Sequence, residues 1–241
     1  MKRDSKPALI LAIVGGAIVL VIALVVASQI SSNSKKSGSG DIQIDSIAEM
    51  LGGIEQNGIS LGDPKAKLTL VEFADPQCPG CAEFAQTVFP SLVQKYVRSG
   101  QLRIEYRGLR FIDDFVKNGP KDSDRLLRLA QAAGLQNKLW YVVELEYENQ
   151  GTENSGYATD SYLRDLASAV DRLNVDQALS VADTSAVVGN IDAAKALADK
   201  SFKKLSTPSF LLGPTGGKPT EKFGNESFSA MSAAIDALLK K

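Results

Sequence analysis

The sequence predicts an α/β fold that carries a helical insertion and follows one N-terminal transmembrane helix. Three observations support this. The apolar run Leu68-Thr69-Leu70-Val71-Glu72-Phe73-Ala74 leads into Cys78-Pro79-Gly80-Cys81, after which Phe84, Val88, Phe89, Leu92, Val93 and Tyr96 recur at helical spacing. A block of helical periodicity from Ser123 to about Leu205 separates that strand and helix from a second apolar run at Ser209–Leu212. The twenty residues from Ala8 to Ala27 are almost wholly apolar, with Gly15-Gly16 the one soft spot.

At helical rise that apolar segment spans about 30 Å, the thickness of a bilayer core. Residues 8–30 are expected to form the membrane anchor, and residues 1–7 to stay cytoplasmic because Lys2, Arg3 and Lys6 flank it. Lys35-Lys36 on the far side weakens the asymmetry without reversing it. A cleaved signal peptide is the competing reading, with Val26-Ala27-Ser28 as a weak cleavage site, but signal peptides usually have a shorter apolar core. Under either reading the remainder is exported, and the expected location is the cell membrane, single-pass, with the bulk of the chain extracytoplasmic.

Residues 31–57 are expected to be a linker and a short helix. Ser31 to Gly40 is a flexible Ser/Gly-rich tract, and Asp41 to Gly53 places Ile44, Ile47, Ala48 and Leu51 on one helical face. Residues 58–241 are long enough for one well-cored domain. Within it, Ile59-Ser60-Leu61 predicts a short strand and Lys67 to Ala74 a buried one. Pro79 to Arg98 predicts a helix with Pro79 in its first turn, kinked by Pro90 and stopped at Ser99-Gly100. Leu102 to Arg107 alternates as a strand. The helical insertion spans about 111–205, with helices expected at 124–133, 137–149, 160–173, 176–182 and 190–203. A strand at Ser209–Leu212, a Gly/Pro turn, Lys222-Phe223-Gly224 and a helix over 228–239 close the chain.

Composition removes several chemistries. The chain has no histidine, which excludes Ser-His-Asp and Cys-His mechanisms, haem ligation by histidine, and Cys/His zinc sites. Its two cysteines cannot make a four-cysteine site alone, leaving only one shared between two copies. No metal and no cofactor is expected. Lys2, Arg3, Lys6, Lys35 and Lys36 against Asp4 make residues 1–36 net +4, and the rest carries −5 of the overall −1. Such a mildly acidic domain, with scattered basic residues, is not a nucleic-acid binder.

The cysteine pair points to chemistry. A strand running into CxxC at the mouth of a helix reads as a thiol–disulfide redox site. Free N–H groups and the positive dipole end of a helix's first turn stabilise a thiolate, the nucleophile of disulfide exchange. An inert staple over so short a loop would constrain the unfolded chain little. Export also places the pair where disulfides persist.

The run Val71-Glu72-Phe73-Ala74-Asp75-Pro76-Gln77-Cys78-Pro79-Gly80-Cys81, the segment Gln150-Gly151-Thr152-Glu153-Asn154-Ser155-Gly156, and Ser206-Thr207-Pro208-Ser209-Phe210 together resemble the DsbA-like family of thioredoxin-fold disulfide oxidoreductases, in its membrane-anchored form. The resemblance covers residues 58–241. It implies that Cys78 attacks and Cys81 resolves, and that Thr207-Pro208 is a cis-proline loop whose Thr207 holds an extended substrate by its backbone. It also implies that Glu72, six residues before Cys78, relays protons beneath the cysteines. Asp75 is expected to shape the turn before Pro76. Exported cysteine-bearing proteins are the implied substrates, and a quinone-linked membrane protein the implied reoxidising partner. No dimerisation module is evident, so a monomer is expected.

Pro79-Gly80 departs from the family's strongly oxidising members, which carry a proline and a histidine there. The expected reduction potential therefore lies between about −270 mV, that of thioredoxin, and about −120 mV, that of DsbA. A reductase or isomerase on the same fold is one alternative. A non-catalytic membrane-tethered peptide-binding module is another, with Trp140, Tyr141, Tyr157 and Tyr162 as either its surface or ordinary helical core.

Overall fold

The structure is a computed structural model and describes residues 45–116 and 118–241. The expected anchor at 8–30 and most of the linker lie outside the described residues. Among those described, no helix is long and apolar enough to cross a membrane.

The amphipathic segment before the domain forms α1 (Asp45–Leu51), which buries Ile47 and Leu51. A hairpin follows, β1 (Gln56–Asn57) and β2 (Ser60–Leu61), turning at Gly58 with φ +57°. The strand before the cysteines is β3 (Leu68–Ala74), and its parallel partner is β4 (Leu102–Gly108). With β5 (Ser209–Pro214) and β6 (Glu221–Phe223) they make a six-stranded sheet ordered β1-β2-β4-β3-β5-β6, antiparallel except for β3 and β4.

β3 is central, so both its faces are covered. Leu68, Leu70 and Ala74 join the main core with Ile104, Phe210 and Leu212. On the other face Phe73 and Leu211 meet Ala194 and Ala198. Register places Tyr106, Glu72 and Phe210 in one row across three strands, on the main-core face.

The expected kinked helix over 79–98 is instead broken into α2 (Pro79–Thr87), α3 (Phe89–Leu92) and a π-helical turn over Val93–Val97. Pro90 is the cause. It offers no N–H to the Gln86 carbonyl and its ring crowds that carbonyl. The bend keeps Phe84, Phe89, Leu92, Val93 and Tyr96 buried against the sheet, as the apolar spacing requires.

The insertion comprises α4 (Phe111–Phe115), α5 (Asp122–Gly134), α6 (Leu139–Glu148), α7 (Asp160–Ser168), α8 (Val175–Val181) and α9 (Ser185–Ser201), and α10 (Phe228–Leu239) closes the fold. Thr159 and Asn174 cap α7 and α8 through their side chains. The aromatics of the insertion belong to the core. Trp140 is buried and stacks on Phe89 at 5.2 Å, with Tyr141 packed at the core's edge. Tyr157 and Tyr162 aim their hydroxyls inward at Glu146, at 2.6 and 2.8 Å.

Candidate active site

Cys78 is the N-cap of α2, with extended backbone (φ −76°, ψ 119°) and Pro79 as the first helical residue. Its carbonyl accepts the first helical bonds, from Cys81 N at 3.0 Å and Ala82 N at 3.1 Å. The sulfur therefore sits at the mouth of the helix, where main-chain N–H groups have no helical acceptor. Cys81 lies one turn deeper. Cys78 keeps 9% of its surface exposed and Cys81 none, and the two are unbridged thiols.

This difference in depth separates the two thiols. Cys78 is pulled down to about 6, chiefly by a hydrogen bond from the Cys81 thiol, with help from Thr207 and the backbone of Cys81 and Gly80 against the opposing effect of burial. Burial pushes Cys81 well above its ordinary value, and the neighbouring Cys78 and Glu72 charges add to the rise. One thiol is an anion at neutral pH and the other is protonated.

The sequence-predicted residues converge here. Cys78 Sγ lies 3.4 Å from the Thr207 carbonyl oxygen, and Thr207–Pro208 is cis. A methyl group placed on Gly80 would lie 3.5 Å from Pro208 Cδ and 3.8 Å from Cys78 Sγ and the Asn225 amide nitrogen. These are ordinary contacts, so Gly80 lies close beside Pro208 and Cys78, and Asn225 borders it unforeseen by the sequence. Glu72 is buried on the row beneath α2, and burial alone raises its carboxyl to about 8.

Asp75 does shape the turn, accepting Gln77 N at 2.7 Å. It also accepts Ser123 Oγ at 2.7 Å and Ile112 N at 2.8 Å, tying the loop before Cys78 to α5 and α4. Gln77 extends the tie to Asp113 and Ser123 through its amide nitrogen, at 2.9 and 2.7 Å. Burial raises Asp75 to about 7 against these three donors. From the insertion, Gln150 Nε2 donates to the Pro76 and Cys78 carbonyls at 2.6 and 3.2 Å, and Asn154 N to Gln77 Oε1 at 2.7 Å. The segment 150–156 thus clamps the loop that presents Cys78. Among the described residues, no group of three or more cysteine, aspartate or glutamate side chains is placed to hold a metal ion.

Residues 55–237 match a family model described as Thioredoxin. The chain belongs to the thioredoxin family. Within it, the chain is similar to the probable disulfide bond formation protein D of Bacillus cereus, with 26% identity over 185 residues that cover 76% of this chain and 79% of that protein. A putative protein-disulfide oxidoreductase of Rickettsia bellii is 26% identical over 193 residues, covering 78% of this chain and 67% of its own. Among solved structures, oxidised BdbD from Bacillus subtilis superposes with a TM-score of 0.63 at 18% identity, over 78% of this chain and 98% of that one. DsbA of Chlamydia trachomatis gives 0.63 at 17% identity, over 75% and 90%. At these identities the superpositions show the fold. The DsbA-like resemblance read from the sequence is borne out, and this thioredoxin-family chain is a thiol–disulfide oxidoreductase.

Proposed function

We propose that the protein is a membrane-tethered, extracytoplasmic disulfide donor that passes a Cys78–Cys81 disulfide to cysteine pairs of exported proteins. The observation that carries this reading is the division between the two thiols: an exposed-edge Cys78 lowered to about 6 beside a buried Cys81 raised by burial. A substrate thiolate attacks Cys78 Sγ, a substrate–Cys78 bond forms, and the Cys78–Cys81 bond breaks with its electron pair leaving on Cys81. Cys81 then takes a proton. The second substrate thiolate attacks the substrate sulfur of the mixed disulfide, and Cys78 leaves as a thiolate. The substrate loses two electrons and the protein gains them.

The low proton affinity of Cys78 makes it a good leaving group in the second exchange and stabilises the reduced form, which is what a donor requires. The Thr207 main chain, beside the sulfur, holds an extended substrate segment next to the cis-proline. Residues 8–30 anchor the chain with the domain outside, the protein acts as a monomer, and a quinone-linked membrane protein reoxidises it. Support for these last points is the apolar segment with its basic flank and the family resemblance.

The test uses the full chain. Cys81→Ser is expected to accumulate mixed disulfides with exported proteins and Cys78→Ser none; equal trapping by both would overturn the roles. Equilibration with glutathione is expected to place the potential between about −270 and about −120 mV. A value at or below the lower figure would replace the donor reading with the reductase one.

A further inference from the structure

We propose that Gln150 is a positioning residue for the exchange at Cys78: its side-chain amide, reaching in from the helical insertion, fixes the main chain that aims the Cys78 sulfur. This role rests on the exchange chemistry proposed above and concerns what holds the reacting atom in place. The segment 150–156 carried part of the family resemblance, with no role for any of its side chains.

Gln150 Nε2 donates to two carbonyls, that of Pro76 at 2.6 Å and that of Cys78 at 3.2 Å. An amide nitrogen has two hydrogens and accepts nothing, so both are used and the end of the amide that faces the loop is fixed. Pro76 is buried, and among the described residues no main-chain N–H donates to its carbonyl. The Cys78 carbonyl opens α2, accepting Cys81 N at 3.0 Å and Ala82 N at 3.1 Å. On the other side of the residue, the Cys78 N–H donates to the Asp75 carbonyl at 3.0 Å. Both peptide planes that flank the Cys78 Cα are thus held, and Gln150 is the side chain that reaches the second. Together these planes set the direction of the Cα–Cβ bond, and through it the placing of Sγ 3.4 Å from the Thr207 carbonyl oxygen.

Gln150 is itself anchored outside the redox loop. Just before it, Asn149 ends α6, with its N–H bonded to the Leu145 and Glu146 carbonyls and its Nδ2 to Leu145 at 2.7 Å. The Asn149 carbonyl accepts Tyr162 OH at 3.1 Å, and Gln86 of α2 donates to the Tyr147 carbonyl at 3.2 Å. Four residues further on, Asn154 N donates to Gln77 Oε1 at 2.7 Å. The arm therefore meets acceptors on three successive residues, Pro76, Gln77 and Cys78. Of these bonds, only the one from Gln150 touches the peptide of the cysteine.

The groups that lower Cys78, namely the Cys81 thiol, Thr207 and the main chain of Cys81 and Gly80, act at hydrogen-bond range. A displaced sulfur weakens all of them together. Exchange further requires the attacking sulfur to be aligned with the bond it breaks. Without the Gln150 amide the buried Pro76 carbonyl loses its donor, the Cys78 peptide turns, and the sulfur leaves this position. Gln150 acts through the Cys78 main chain, not on the sulfur.

The test uses reduced full-length wild type, Gln150→Ala and Gln150→Glu. Each is reacted across pH with hydroxyethyl disulfide, which is small and uncharged, and urea unfolding records the stability of each. The thiolate midpoint reports the surroundings of the sulfur, and the plateau rate above it reports alignment. Gln150→Ala is expected to raise the midpoint from about 6 toward 9.0. Its plateau rate is expected to fall by about tenfold. A lowered urea midpoint with both kinetic readouts at wild-type values would show a mere structural latch and overturn the proposal. Gln150→Glu tests the donor itself, and decides the matter even if the alanine variant does not fold. A carboxylate cannot donate to either carbonyl, whereas a carboxylic acid can donate to one. Corrected for thiolate fraction and divided by wild type, the Gln150→Glu rate is expected to recover severalfold as pH falls through about 4–5. A ratio flat with pH would also overturn the proposal. Wild-type protein no more reactive at pH about 6 than a free cysteine, whose thiol is then almost wholly protonated, would instead overturn the exchange reading itself.

Discussion

Cys78 and Cys81 lie one turn apart at the start of one short helix, yet their proton affinities diverge because one sulfur is hydrogen-bonded at the helix mouth and keeps 9% exposure while the other is fully buried in the core. The largest single cause at Cys78 is the thiol hydrogen bond from Cys81, not the helix end. Thiolate absorbance of the reduced chain is therefore expected to titrate with a midpoint of about 6, and Cys81→Ala, which removes the donor, to move it up toward the ordinary value of 9.0. An unmoved midpoint would assign the effect to the helix end instead. The sign for stability follows. Because the folded value is depressed, the reduced folded state gains stability as pH rises from about 6 to 9.0, and loses it as pH falls through about 6.

At the scale of elements, the 150–156 segment is held on both sides. Gln150 grips the carbonyls of Pro76 and Cys78, and a methyl on Gly151 would approach Tyr157 Cγ to 2.3 Å. That ring cannot swing away freely, since its hydroxyl donates to the buried Glu146. Gly151→Ala is expected to destabilise the domain by about 1–3 kcal/mol, the usual cost of overpacking. Urea denaturation measures it, and a neutral result would show the clamp to be slack. Here the limits of sequence reading become physical. Cys78 and Cys81 were legible from the strand–CxxC–helix pattern, while Glu72, Thr207 and Pro208 were legible only through the family resemblance. Ser123, Asp113 and Asn225 reach the site across long chain separations that leave no local pattern. Glu144 and Glu146 sit in Val142-Val143-Glu144-Leu145-Glu146-Tyr147, where acids read as a solvated face although both are buried. The five-residue α4 is too short for periodicity to register.

For the molecule as a whole, burying acids beneath the cysteines makes stability depend on pH in a definite direction. Glu72 and Glu146 are raised to about 8, and Asp75 to about 7, each mainly by burial. A carboxyl with a raised folded value contributes stability that is fully present below its ordinary value, 4.5 for glutamate, and is lost as pH rises to about 8. The oxidised protein, in which Cys78 does not titrate, is expected to resist urea better at pH about 5 than at pH about 8. Glu72→Gln should flatten that slope and stabilise the domain at the alkaline end by roughly 2–4 kcal/mol. A wild type equally stable at both ends would contradict the burial-driven shifts. The succession of elements along the chain was legible from periodicity, but the two-residue β1 and the sheet order β1-β2-β4-β3-β5-β6 were not, since pairing across long separations leaves no local pattern. The break at Val88 was legible only as a kink, because a proline fixes where a helix fails but not how the next turn resumes. One packing detail reaches beyond stability. The chain's single tryptophan, Trp140, stacks on Phe89 and meets the Tyr106 ring, whose hydroxyl opens onto the carboxyl and thiol cluster. Its indole fluorescence has no competing source in the chain and lies within the electric field of the groups whose charges change with each turnover. The indole emission is therefore expected to differ between the oxidised and the reduced protein, and comparing the two emission spectra checks it.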